Sequence, residues 1–286
     1  MNTQFWLIQA FNGISYGALL FLVGSGLSLI FGVMRIVNLS HGSYFLLGGY
    51  VALSVIWTTG SWVLAIPVAA LAVAALGMVM ERVFLRPLGF DPLRQVLLTV
   101  GFAFLFQQAA LDIWGGDNMD IIPPAMLTQS VVIGGLYLPG YRIFMIGIAA
   151  AIGLILWLVM EKTRVGAAVR ATVDDAQMAR GVGIDTSRIS MFIFALGASL
   201  AALGGVIGGA FLGVYPGLDF QILPIAFAVV IIGGMGSLGG AAIGALVVGL
   251  ADNFGKALFP EISYFTLYAP MALILAVKPT GLFGRE

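Results

Sequence analysis

Eight apolar stretches long enough to cross hydrocarbon, joined by more polar links, dominate the chain and leave few folds open to it. A bilayer core takes about 20 apolar residues per helix. Spans of that kind read near 6–33, 40–58, 62–84, 95–114, 141–160, 189–213 and 263–279, with a longer stretch over 222–252. Only 9% of the chain is charged and 60% is hydrophobic, against about 25% charged in soluble domains. The 39 glycines suit helices that approach closely in lipid. These features predict an all-α polytopic membrane protein, one transmembrane domain over 1–286, with about eight transmembrane helices. Net charge is zero, so bulk electrostatics point to no nucleic-acid partner. The absence of cysteine excludes disulfides, thiolate catalysis and zinc–sulfur sites. The opening MNTQFWLIQ lacks the basic start of a cleaved signal peptide.

The 222–252 stretch is too long for one simple crossing. As a straight helix it would run about 46 Å through a core of about 30 Å. Its middle, Gly233-Gly234-Met235-Gly236-Ser237-Leu238-Gly239-Gly240, is a poor helix interior, because each glycine costs up to about 1 kcal/mol relative to alanine. Charge gives an independent test, since cytoplasmic loops collect Lys and Arg. Arg35, then Arg82, Arg86 and Arg94, then five basic residues in 162–188 fall on one side, and the acidic loop 115–140 falls on the other. This puts the N-terminus outside. A fold-back at the glycines also brings Lys278 and Arg285 inside, leaving Arg142 and Lys256 as the exceptions. The expectation is a glycine-broken or re-entrant segment and a cytoplasmic C-terminus. Irregular backbone at that depth is tolerated where it is buried or lines a cavity; Gly236 therefore belongs either to the pathway or to a packing face.

Residues 161–188 form the one sustained polar stretch, with 9 of the 26 charged residues. Val165, Val169, Val173 and Ala176 recur as one stripe of an amphipathic helix, and Arg170 and Asp174 are spaced to pair across a turn. Asp174 followed by Gln177 has the form of a capping box opening a second helix, which Gly181 and Gly183 would close. A helix lying on lipid needs aromatic anchors and a cationic face. This stretch has no aromatic residue, so docking on a protein is expected.

The stretch TRVGAAVRATVDDAQMARGVGIDTSRI resembles the cytoplasmic loop of the LivH-type permeases of bacterial ABC importers for branched-chain amino acids and related substrates. GLSLIFGVMRIVNLSHGSYFLLGGY at 26–50, ERVFLRPL at 81–88 and KPTGLFGR at 278–285 match the same family in order. The resemblance implies that 164–184 forms coupling helices seated on an ATPase, with Arg164, Gly166, Arg170, Asp174, Ala179, Gly183 and Ile184 carrying that role and Glu81, Arg82 and Arg86 nearby. It implies a LivM-like second permease, two cytoplasmic ATPase subunits that hold ATP and Mg, a periplasmic substrate-binding protein, and residence in the bacterial inner membrane. The chain itself has no GxxxxGK[ST] phosphate loop, as expected if hydrolysis occurs on another polypeptide.

Polar residues inside the apolar spans are few. Asn38, Ser40 and the sole histidine, His41, read as helix capping or interhelix bonding near the cytoplasmic end, with pathway contact as the alternative. Asn12, Ser15 and Tyr16 in the first span and Gln107 and Gln108 in the fourth suit interhelix hydrogen bonds or substrate contact. Asp112 and Asp252 fall near span ends, where water is expected. Gly13/Gly17, Gly204/Gly208, Gly205/Gly209 and Gly240/Gly244 have the spacing of close helix crossings. No carboxylate pair, nucleophile–base pair or metal cluster appears, so the expected role is non-catalytic, with no metal or cofactor of its own. The rival reading is a self-contained ion-coupled carrier, which would need charged groups or unwound helices at mid-depth.

Overall fold

The computed structural model describes residues 3–89 and 91–284. Arg285, assigned above to the cytoplasmic side, lies outside them. The apolar runs become helices α1 (Thr3–Met34), α2 (His41–Thr59), α3 (Trp62–Val79) and α4 (Pro92–Trp114). A π-helical turn, Met80–Leu85, and a 3₁₀ turn, Arg86–Leu88, extend α3. A short α5 (Ala125–Thr128) and the antiparallel hairpin β1 (Ser130–Ile133)–β2 (Leu136–Pro139) lead into α6 (Gly140–Lys162). The polar stretch forms α7 (Arg164–Asp174) and α8 (Ala176–Gly181). The helices α9 (Thr186–Leu212), α10 (Leu218–Gly233), α11 (Leu238–Leu258) and α12 (Ser263–Val277) follow.

Among the described residues, six helices are long and apolar enough to cross a membrane: α1, α3 with its extension, α4, α6, α9 and α11. That is fewer than the eight or so expected. α10 and α12 are apolar but have 16 and 15 residues, and α2 opens on the polar run His41-Gly42-Ser43-Tyr44.

α1 and α9 form the centre because glycine lets their backbones meet. A Cβ on Gly26 would lie 2.5 Å from the Gly197 carbonyl, and one on Gly197 2.7 Å from that of Gly26. All four glycine pairs expected at crossings do sit against neighbouring elements: Gly13 and Gly17 on α11, Gly204 and Gly208 on Phe45 of α2, Gly205 and Gly209 on α2 and Val214, Gly240 and Gly244 on α10. The outer helices keep large side chains bare, with Leu71 on α3 70% exposed and Leu97 on α4 63%. Such surface suits lipid or a partner subunit.

The predicted break in 222–252 is a tight turn. α10 ends at Gly233, Gly234 and Gly236 take φ of 99° and 85°, and Ser237 caps α11 by accepting from the Gly240 amide at 3.0 Å. Ser28 Oγ of α1 donates to the Ser237 carbonyl at 3.3 Å. The C-terminal run closes the other side: the amides of Leu282 and Phe283 donate to the carbonyls of Ile232 and Gly233, each at 2.9 Å. Orphan carbonyls at the end of α10 are thereby satisfied by KPTGLFGR rather than by water.

Candidate functional site

The helix pair α7–α8 is the first candidate. Thr163 caps α7 by accepting from the Gly166 amide at 3.2 Å. Gly166 then lies directly under the last turn of α6, where any Cβ would collide with the carbonyls of Met160 and Val159. Arg170 fastens the same junction, donating from Nη1 to the Met160 carbonyl and lying 3.8 Å from Glu161. The helix pair departs from the predicted stripe and cap at two points. The buried face of α7 is Gly166, Val169 and Thr172, and Val165 is 43% exposed. The cap of α8 is Asp175, not Asp174: its Oδ1 accepts from the amides of Gln177 and Met178 at 2.8 and 2.9 Å.

α8 ends as the glycines predicted. The Ile184 amide donates to the Ala179 carbonyl and the Gly183 amide to that of Arg180, both at 3.0 Å, with Gly183 at φ 89°. This is a Schellman closure, in which glycine adopts the left-handed conformation that other residues avoid. Ala179 is buried beneath the helix, and Arg164, Asp174 and Gly183 face outward. The outward side carries two apolar side chains that sequence reasoning passed over, Met178 at 66% exposure and Val182 at 71%. Their signal was present: both are apolar, lie in a water-facing stretch, and fall off the predicted stripe.

A strut joins this pair to the other basic segment. Glu81, 2% exposed, accepts from Arg86 Nε at 3.2 Å and Nη2 at 2.8 Å, and the same Nη2 donates to the Ser187 carbonyl at 3.1 Å. The end of α3 is thus tied to the first turn of α9, directly after the helix pair. Arg82 remains exposed.

The second candidate is the set of polar residues within the bundle. After α1 ends, the chain turns at Arg35 (φ 54°) and runs back into the protein. Leu39 N donates to Thr99 Oγ1 at 3.2 Å, and His41 Nε2 donates to the Val23 carbonyl at 3.0 Å. Val23 lies eleven residues, about 16 Å, before the end of α1. Asn38 and His41 therefore sit deep in the bundle, not at its cytoplasmic edge as the sequence suggested. The depth is set by the tertiary path of 35–40. Asn38 Oδ1 accepts from Ser40 N and Oγ at 3.1 and 2.7 Å, and both residues are fully buried.

The other expected pathway residues are not gathered into one site. Ser15 Oγ donates to the Asn12 carbonyl at 2.8 Å, a bond within α1. The Tyr16 ring lies 5.7 Å below Lys256 Nζ. Gln107 is half-buried beside Gly217, and Gly236 packs on Gly32 at the far end of α1. Next to Gly236, Met235 lines a 220 Å³ apolar cavity with Leu27, Phe31, Ile36 and Phe227. Asp252 does not reach water: it is 4% exposed and ion-pairs with Lys256 at 2.7 Å. Sequence reasoning missed Asp219, which is 2% exposed and accepts from Ser43 Oγ at 2.9 Å through Oδ2. An acid just before a long apolar run was the available signal. Among the described residues, no group of three or more His, Asp or Glu side chains could hold a metal ion.

Comparison with known proteins decides the family. The model for the branched-chain amino acid transport system permease component matches residues 9–275. The chain belongs to this family. It is similar to the high-affinity branched-chain amino acid transport system permease protein LivH of Escherichia coli K12, 31% identical over 305 residues covering 100% of this chain and 98% of the relative. It is 29% identical to the permease protein BraD of Pseudomonas aeruginosa, covering 98% and 96%. The E. coli permease protein LivM is a more distant relative, 26% identical over 91% of this chain and 67% of LivM. No solved structure matches. Family membership and the six spans make this a multi-pass membrane permease.

Proposed function

We propose that this chain is one permease subunit of an ATP-binding-cassette importer that carries branched-chain amino acids, or closely related amino-acid-like solutes, into the cytoplasm. It works with a LivM-like second permease, two ATPases that hold ATP and Mg, and a periplasmic binding protein. The observation that carries the reading is α7–α8: a capped helix pair, fixed to α6 by Gly166 and Arg170, that presents bare Met178 and Val182 beside Arg180 and Asp174. Apolar side chains bare on a polar surface are the mark of an interface centre. The outward-facing members of the predicted set, Arg164, Asp174 and Gly183, supply the rim. Gly166, Arg170, Ala179 and Ile184 hold the pair in place.

The N-terminus is outside and the C-terminus cytoplasmic in this reading. The strut Arg86–Ser187 supports it by placing the basic end of α3 and the α7–α8 segment together. The bonds of 282–283 to the α10 end, and the contact of Gly236 with Gly32, support it by bringing Lys278 to the Arg35 end of α1. α10 and α11 then form a glycine-hinged hairpin returning from that side. The buried carboxylates Asp219 and Asp252 favour the competing ion-coupled carrier, but Asp252 is already neutralised by Lys256.

Affinity purification from gently solubilised membranes tests the assembly. The expected result is recovery of a second permease of this family and of chains bearing a phosphate-loop motif, in equal permease amounts. Recovery of this chain by itself, still folded, contradicts it.

A further inference from the structure

We propose that the second half of the bare side of α4 and the first turn of α10 form a hydrated wall touched by the transported solute, and that the wall suits a small zwitterion with an apolar side chain. The inference rests on the permease reading above. On α4, Leu93, Leu97, Gly101, Phe104, Gln108 and Asp112 are all exposed, at spacings of four, four, three, four and four, which is one helix face. The face changes character along its length. Its start is leucine; its end is an amide and a carboxylate, with Gln108 Nε2 donating to Asp112 Oδ1 at 2.9 Å. Gln108 precedes the last residue of α4, Trp114, by six residues, about 9 Å, which sets it inside a hydrocarbon core of about 30 Å.

A second element joins the same face at greater depth. The rings of Phe104 and Phe220 lie 5.4 Å apart, which brings the start of α10 beside the middle of α4. There Tyr215 OH donates to Gln221 Oε1 at 3.1 Å, with Gln221 exposed and Tyr215 half-buried. Between them in sequence, Asp219 is 2% exposed.

Lipid tails cannot solvate these groups. In hydrocarbon no water completes the remaining bonding capacity of an amide or hydroxyl, and each group left unsatisfied costs free energy. The second half of the stripe, Phe104 to Asp112, therefore faces water or a polar ligand. Its chemistry matches a zwitterion: the Asp112 carboxylate for an ammonium, the Gln108 and Gln221 amide N–H groups for a carboxylate, and Phe104 with Phe220 for an apolar side chain. Internal bonds hold both glutamines in place, so little ordering is left for binding.

The natural chain has no cysteine, so single thiols report cleanly. Gln108→Cys, Gln221→Cys and, as a lipid-facing control, Leu71→Cys are placed in the complete transporter in vesicles and treated with a membrane-impermeant maleimide. Rapid modification at 108 and 221, none at 71, and about tenfold slowing by isoleucine at about ten times its half-saturating concentration are expected. Modification at 108 and 221 as slow as at 71 overturns the wall, as does rapid modification that isoleucine leaves unchanged. Cross-linking of both positions to the second permease without protection also overturns it and assigns the face to packing. Phe104→Cys reads the same stripe if either glutamine variant fails to assemble. Absence of ATP-driven isoleucine uptake by the cysteine-free complex counts against the permease reading; uptake with unprotected cysteines counts against the wall alone.

Discussion

Gly205→Val should abolish accumulation of folded permease, with a destabilisation at or above about 3 kcal/mol, the upper end of ordinary overpacking. Gly205 lies where α9 crosses α2. A Cβ there would run into the Phe45 carbonyl oxygen, and would stand 2.8 Å from Phe45 C and 3.0 Å from Gly49 N. These are backbone atoms of a helix interior, so no rotamer change can make room. The two helices must separate, which opens the buried contacts of Phe45, Leu46 and Val206. Dense interiors do not absorb such a shift locally. Gly101→Ala is the matched control, because a Cβ at Gly101 meets nothing within 4 Å and alanine favours helix by about 0.5–1 kcal/mol. Thermal unfolding in mild detergent, followed by size-exclusion recovery, checks both. Normal recovery of Gly205→Val would mean that α2 and α9 do not cross as described.

The largest functional effect is expected from Met178→Asp combined with Val182→Asp. Both side chains are bare in the isolated chain, so replacing them should leave insertion and thermal stability unchanged. Burying a methionine or valine at an interface contributes about 1.5–3 kcal/mol. Losing both, and placing two carboxylates there, should weaken ATPase docking by about 100-fold or more, since 1.4 kcal/mol is a factor of ten. ATP-driven uptake should fall to background in the double variant. Co-purification of the ATPase with variant and parent reads the docking directly. Unchanged co-purification would remove these residues from the interface. By contrast, a side chain at Gly166 should unseat α7 from α6 itself, so its loss of uptake should come with a lowered melting temperature.

Much of this architecture was legible in the chain. Apolar runs of hydrocarbon length located the long helices because, in lipid, only satisfied backbone survives. The turn at Gly234–Ser237 was visible as a cluster too glycine-rich for a helix interior. The helix pair over 164–181 was visible from the recurrence of Val165, Val169 and Val173 for the first helix and from capping and glycine signals for the second. Details failed where more than one residue could satisfy a rule. Asp174 and Asp175 are adjacent acids, and the extended backbone of Asp175 (φ −153°) is what selects it as the cap. The stripe on α7 went astray because its true contact point is Gly166, which has no side chain to register in a hydrophobic pattern.

Depth was the other failure. Nothing in Asn38-Leu-Ser-His41 states that the chain doubles back to Val23, since that path is fixed by bonds from α1 and α4. Asp252 looked like a span-end residue but is buried because Lys256, one turn on, carries the exposure for both. Met178 and Val182 escape an amphipathic pattern because they lie on the outer side of α8 and its end, off the stripe that packs inward.

In the proposed assembly, solute movement through this chain is driven by ATP on a partner docked at α7–α8. Uptake of radiolabelled isoleucine into vesicles holding the purified complex and its binding protein tests it most directly. ATP is supplied on the ATPase side, and sodium and proton gradients are collapsed. The expected result is uptake that requires ATP, survives loss of both gradients, and disappears in the Met178→Asp, Val182→Asp double variant. Uptake by this chain without ATPases, driven by either gradient, would contradict it.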